Sequence, residues 1–239
     1  NERNQAMTKT SFLSLGALAT LALFATLVPS VLSANGIDIS MADCPSVTLS
    51  QWQCMKNSYG DSFAIIEAFD GGYQINKQIA TCVNNAWNAG FSHVDVYAFL
   101  CPNCAGNTPA SSAVKNLINF LQSNNVKFGM LWFDIEQCTG CWNDVNSNFQ
   151  YVQECVSAAQ SAGVSVGIYS SLYEWQQTVG SATGLQNLPL WYAHYDNNPS
   201  FSDPQYWQFG GWTTPAIKQY NDHGDSSCGV SVDVDWYPN

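Results

Sequence analysis

Apolar residues alternate with polar ones in eight short stretches of the chain. These are GIDIS (36–40), FAIIEAFD (63–70), HVDVYAFL (93–100), KFGMLWFDIE (127–136), VSVGIYSS (164–171), PLWYAHY (189–195), PQYWQFGG (204–211) and VSVDVDWY (230–237). A period of two, rich in Val, Ile, Phe, Tyr and Trp, predicts strands. Between the early ones the period lengthens to that of a helix. Ile79, Val83 and Ala86 share one face of 76–89; Val114, Leu117, Ile118 and Leu121 share one of 110–123; Phe149, Val152, Val156 and Ala159 share one of 146–162. Strand, helix, Gly or Asn turn, then strand again is the repeat of a parallel sheet. It weakens late, because only eight residues, one of them proline, separate 189–195 from 204–211. That gap is too short for a crossover helix. The expected fold class is therefore α/β: a modified, irregular (β/α) barrel, with parallel strands first and short antiparallel strands at the C-terminal end.

The same periodicity sorts side chains between the two faces of each strand. In 127–136, Gly129, Leu131, Phe133 and Ile135 face the helices. Phe128, Met130, Trp132, Asp134 and Glu136 face the barrel interior, the two acids at its C-terminal end. That end carries the active site of an α/β barrel. Asp38 ends the first strand, and Asp233 and Asp235 alternate with Val232 and Val234 in the last. Closure makes first and last strands neighbours, so Asp38, Asp134, Glu136 and Asp233 are expected at one mouth. Buried carboxylates are costly unless they form a polar network or do acid–base chemistry. A metal site is the weaker reading, since no histidine cluster is present and an oxygen-only site wants more loop ligands. No metal and no cofactor are expected. Tyr97, Phe99, Trp132, Tyr169, Trp191, Tyr195 and Trp207, with Tyr192, fall at or near strand ends. Aromatic faces beside acids suit the C–H faces of sugar rings.

Composition narrows the class. Residues 12–29 are apolar and uncharged, Lys9 precedes them, and Val31 and Ser33 occupy the −3 and −1 positions of a small-residue cleavage site. This is the pattern of a signal peptide, 1–33 with a short N-terminal extension, leaving one barrel domain over 34–239. That domain holds five lysines and no arginine against seventeen acidic residues, a net charge of −12. Such a surface excludes charge-driven binding to nucleic acid or anionic membranes. Nine cysteines in a secreted chain point to disulfides with one thiol left over. Two C-x-x-C pairs occur, Cys101/Cys104 and Cys138/Cys141. Zinc is possible there, but export favours disulfides. Cys155, inside a helical pattern, is the expected free thiol. The expected working unit is a monomer, secreted or held in an acidic lysosome- or phagosome-type lumen.

The motifs "GIDIS", "NAWNAGFSHVDVYAF", "LWFDIE", "VGIYSS", "LPLWYAHY", "YWQFGGW" and "CGVSVDVDWY", in this order, resemble glycoside hydrolase family 25, the CH-type lysozymes, in its secreted eukaryotic branch. The resemblance covers 36–237. It implies a modified barrel and hydrolysis of the β-1,4 bond between N-acetylmuramic acid and N-acetylglucosamine in peptidoglycan, with retention. It implies Glu136 as general acid, Asp134 as its D-x-E partner, Asp38 and Asp233 as supporting acids and Tyr169 as a sugar contact. Two positions depart from the family: Glu67 stands where a basic residue is common and Asp235 where Asn is common. Neither is expected to touch the D-x-E pair. The competing readings are a chitinase-like glycosidase, whose D-x-x-D-x-D-x-E pattern would need Asp where Trp132 stands, and an inactive sugar-binding barrel.

Overall fold

The computed structural model describes residues 33–58, 60–72, 74–223 and 228–238. The signal-peptide reading of 1–33 falls almost wholly outside them. Nine strands form one sheet: β1 (Ala34–Ile39), β2 (Phe63–Asp70), β3 (Gln74–Ile75), β4 (His93–Phe99), β5 (Met130–Asp134), β6 (Ser165–Ser170), β7 (Leu190–Ala193), β8 (Ile217–Asn221) and β9 (Asp233–Tyr237). Their order is β1-β9-β8-β7-β6-β5-β4-β2-β3, and β1 also pairs with β2, which closes an eight-stranded barrel. The two-residue β3 folds back on β2 as a hairpin. Five helices pack outside: α1 (Leu49–Ser58), α2 (Ile79–Ala89), α3 (Ala110–Ser123), α4 (Val145–Ser161) and α5 (Leu172–Val179). The α/β barrel is thus as expected, and the end of the chain differs from the expectation.

The stretch 204–211 is not a strand. Pro204–Tyr206 is a single 3-10 turn, and Gly210 and Gly211 adopt φ of 59° and 91°, which breaks any extended run. Trp207, Phe209 and Trp212 plug the outer core instead. The seventh barrel strand lies further on, in AIKQYN, where Ile217 and Gln219 point inward. The longer connection lets β8 run parallel to β7, and only β9 among the barrel strands is antiparallel to its neighbours. Two helices, α1 and α5, were not among those read from the sequence. In α1 the buried contributions are Trp52 and Met55 with Cys54 in a disulfide.

The outer core lies between strands and helices: Ile37, Ile39, Ala64, Ile66, Val94, Val96, Leu131 and Phe133 meet Val83, Ala86, Leu117, Leu121, Val152 and Ala159. A second cluster fills the barrel with Phe63, Ile65, Trp132, Tyr169, Trp191 and Ile217. Two glycines make room for this plug. A Cβ on Gly36 would lie 2.3 Å from the Phe63 ring, and one on Gly167 would lie 2.3 Å from the Trp132 ring. The plug's polar atoms are satisfied: Trp132 Nε1 donates to Asp95 (2.9 Å) and Trp191 Nε1 to Asp235 (2.8 Å). Above this floor the barrel opens at the C-terminal ends of its parallel strands. Disulfides join Cys44–Cys82, Cys54–Cys228, Cys101–Cys104 and Cys138–Cys141, and Cys155 is the buried free thiol.

Candidate active site

Strand β5 delivers Asp134 at its last residue and Glu136 two residues on. The backbone between them is fastened on both sides. Leu100 N–H donates to the Asp134 carbonyl (3.0 Å), Ile135 N–H to the Tyr169 carbonyl (3.0 Å) and Ser170 Oγ to the Ile135 carbonyl (2.7 Å). Trp142 Nε1 donates to the Glu136 carbonyl (2.7 Å), and Gln137 N–H to Glu174 Oε2 (2.6 Å). Rigid strand ends of this kind hold side chains better than loops do.

The other expected acids arrive from β1 and β9, where Asp38 and Asp233 are directly paired. A residue absent from the sequence-based set joins them. Gln219 Nε2 donates to Asp38 (2.7 Å) and Asp233 (3.1 Å), while its Oε1 accepts from Tyr169 (2.6 Å) and Tyr195 (3.0 Å). The buried amide thus uses both donors and both lone pairs. Its signal was the alternation Ile217-Lys218-Gln219, hidden by the assignment of the seventh strand to 204–211. Asp235 is fully buried inside the barrel. Its Oδ2 meets no protein donor, yet Asp38 lies within hydrogen-bonding reach. A bond between two carboxyls needs a proton on one of them.

Electrostatics follow from this crowding. Glu136 is raised to about 7, first by burial and then by the neighbouring Glu174 and Asp233 charges, against a hydrogen bond from Tyr169. Asp134 is raised well above the ordinary carboxylate range by burial, with Glu136, Glu67, Asp38 and Glu174 adding repulsion. Asp38 and Asp235 are likewise raised, chiefly by burial. Glu67, also buried, is raised to about 7, again mainly by burial; its Oε2 accepts Met41 N–H at 2.7 Å. No hydrogen bond or ion pair among the described residues joins Glu67 to the D-x-E pair, in line with the expectation that it does not touch them, and its charge acts on Asp134 only through space. Like charges in a poorly solvated pocket favour neutral acids.

The mouth has two arms. A cavity of about 440 Å³ runs from Glu136 along Ser171, Tyr173, Glu174, His194, Tyr195 and Tyr206. One of about 470 Å³ lies against Glu67, Asp70, Phe99 and the Cys104 and Cys138/Cys141 turns. Among the seven aromatics expected at a sugar, Tyr195 (46% exposed) and Phe99 line these arms, and Tyr97 is half-buried at the interior mouth. Tyr169 is buried and offers its hydroxyl to the network. Trp132 and Trp191, each 2% exposed, form the floor, and Trp207 is packed in the outer core. These three are structural, because each is buried within packed core. Tyr173, 65% exposed on α5, was missed and lies open in the first arm.

Two groups among the described residues have metal-like spacing, and both are otherwise engaged. Cys101, Cys104 and Cys141 are in disulfides, and Asp196 and Asp203, beside His194, are bridged by the buried Lys218 ammonium at 2.9 and 2.8 Å.

Comparison with known proteins identifies the family. Residues 32–220 match the family model for "Lysozyme-like protein 1". The chain is 50% identical to "Counting factor 45-1" of Dictyostelium discoideum over 84% of its own length and 66% of that protein's, so it spans just under two thirds of that relative. It is 39% identical to "Probable GH family 25 lysozyme 2" of the same organism, over 92% of this chain and 99% of the relative. The fold is similar to that of the modular autolysin LytC of Streptococcus pneumoniae, with a TM-score of 0.65 at 18% identity over 86% of this chain and 47% of that one. LytC has also been solved with a synthetic peptidoglycan ligand. The chain belongs to the glycoside hydrolase family 25 lysozymes, within the lysozyme-like group.

Proposed function

We propose that the protein hydrolyses the β-1,4 bond between N-acetylmuramic acid and N-acetylglucosamine in bacterial peptidoglycan. The observation that carries this reading is Glu136: a carboxyl raised to about 7, fixed at an open cavity beside a second buried carboxyl, Asp134. Glycoside cleavage needs a proton donor at the leaving oxygen and stabilisation of the cationic sugar centre. Glu136, protonated below about pH 7, supplies the proton. In the proposed course the substrate's own 2-acetamido oxygen attacks C1 as the C1–O bond breaks, and the leaving oxygen takes the Glu136 proton. Water then attacks C1 as the bond from C1 to the acetamido oxygen breaks, which restores the acetamido group; the Glu136 carboxylate takes the water proton, and the two inversions retain the configuration.

Asp134 differs from the simple expectation that it stays anionic throughout. In the empty mouth its burial and four acidic neighbours favour the neutral form. Asp134 releases its proton to solvent before the bond breaks, and the positive charge developing on the substrate's acetamido group then offsets the repulsion and stabilises the Asp134 anion. Asp38 and Asp233, tied through Gln219 to Tyr169 and Tyr195, hold the phenols that face the sugar.

Four disulfides and acid-tuned carboxyls support work as a monomer outside the cell or in an acidic lumen. The net charge of the barrel domain, −12, also opposes approach to an anionic wall at neutral pH. The test is product analysis of digested peptidoglycan. New reducing ends on muramic acid, with little release from chitin, are expected. Reducing ends on N-acetylglucosamine would indicate the chitinase-like reading, and wall binding without new ends would indicate a sugar-binding barrel.

A further inference from the structure

Helix α5 begins with Ser171-Leu172-Tyr173-Glu174, the spacing of a capping box. Half of the box forms: Ser171 Oγ accepts Glu174 N–H at 3.1 Å. In a full box the glutamate would turn back to the Ser171 N–H, and among the described residues that bond is not made. The Glu174 side chain crosses instead to the catalytic strand end, where its Oε2 accepts Gln137 N–H at 2.6 Å. Gln137 is the residue next to Glu136, and its side-chain amide also donates to Thr178 of α5 at 2.9 Å. Helix α5 therefore grips the chain just beyond the acid at two points. Glu174 and Glu136 line the same cavity.

We propose that Glu174 is a positioning residue for the general acid, fixing the backbone beyond Glu136 and presenting its side chain to the same cavity. The inference rests on the assignment of Glu136 as proton donor. A helix cap could have been completed by a glutamine or left to water. A carboxylate diverted to this backbone N–H brings a charge to the mouth that helix stability does not require.

The groups facing Glu136 come from every neighbouring element: Asp134 on β5, Tyr169 on β6, Tyr195 just past β7, Asp233 on β9 and Glu174 on α5, with Tyr173, His194 and Tyr206 lining the same cavity. After burial, Glu174 is the largest contribution raising Glu136, ahead of Asp233, while Tyr169 opposes it. The sign follows directly. Removing the Glu174 charge makes the Glu136 carboxylate easier to form, so its proton leaves at lower pH.

Glu174→Gln keeps an acceptor for Gln137 N–H and deletes only the charge, which separates tuning from anchoring. The readout is the basic limb of the pH–rate profile, whatever the height of the plateau. An acid shift of the limb by about one pH unit is expected, a size typical of one nearby like charge. Above both limbs that amounts to about a tenfold lower rate than wild type. A limb within about 0.2 pH unit of wild type would overturn the proposal, even if the overall rate fell.

Carboxyl carbon-13 NMR of the wild-type protein tests the same coupling without a variant. The Glu174 carboxyl resonance should show an inflection where Glu136 titrates, near 7. A Glu174 resonance blind to that step would overturn the proposal, also in the event that Glu174→Gln does not fold. Glu136→Gln run in parallel distinguishes the two levels. If it stays active, the assignment of Glu136 fails; if it is inactive while the Glu174→Gln limb stands still, only the role of Glu174 fails.

Discussion

Glu136→Gln removes hydrolysis by at least about 10²–10⁴-fold, the contribution of a general acid alone, and leaves the fold unchanged. The substitution is nearly isosteric, and the backbone around it does not depend on the carboxyl. Trp142 Nε1 reaches the Glu136 carbonyl, Gln137 N–H reaches Glu174, and Ile135 is held between Tyr169 and Ser170. What is lost is the transferable proton. The variant also relieves repulsion at Asp134, because the Glu136 charge repels it most strongly. It is therefore expected to melt no lower than wild type. Initial rates on a soluble peptidoglycan fragment, with thermal melting beside them, check both halves. A rate within threefold of wild type would remove Glu136 from the mechanism.

Breaking the Cys54–Cys228 disulfide should give the largest loss of stability of any single cross-link. It joins α1 to the segment leading into β9 across a sequence separation of 174 residues, the longest loop closed by any of the four bridges. Loop closure restricts the unfolded chain more as the loop lengthens, and a bridge of this span contributes about 3–5 kcal/mol. A whole domain is stable by only about 5–15 kcal/mol. Strand β9 closes the barrel between β1 and β8 and carries Asp233 and Asp235. Loosening its approach should cost activity on warming before the rest of the barrel melts. Urea denaturation of a Cys54→Ser/Cys228→Ser double variant is the measurement. A change below about 1 kcal/mol would show that packing of α1, led by Trp52 against Phe91, anchors the segment without the bridge.

Strand periodicity made the barrel and its acidic mouth legible because the structure uses it literally. Asp134 ends β5 on the inward face, and Asp38 and Asp233 pair across β1 and β9. Motif order carried the family. The misreadings have local causes. PQYWQFGG has strand-forming aromatics, but two glycines at positive φ turn it, and its rings pack outward rather than into the barrel. The true strand β8 carries a buried Lys218, which reads as solvated until Asp196 and Asp203 are placed around its ammonium. With that strand unseen, Gln219 was unseen too. Aromatic content at strand ends could not separate floor from mouth. Trp132 and Tyr195 look alike in sequence, and only the glycine at 167 and the depth of the plug decide that one is covered and the other open. The influence of Glu67 on Asp134 was not legible, because through-space repulsion between strands leaves no mark on spacing.

The dependence of kcat/KM on pH tests the account most directly. The mouth is built so that Glu136 stays protonated up to about 7, and the reaction needs that proton. The rate on a soluble muramyl oligosaccharide whose lactyl carboxyls are amidated, and which is therefore uncharged, should fall as pH rises through about 7, with a second limb on the acid side belonging to the coupled carboxyls as a group. An uncharged substrate removes the repulsion between protein and wall from the measurement. A rate that falls tenfold per pH unit above that limb is the predicted result. A rate still rising between pH 7 and 8 would contradict a protonated Glu136 as the acid and the account built on it.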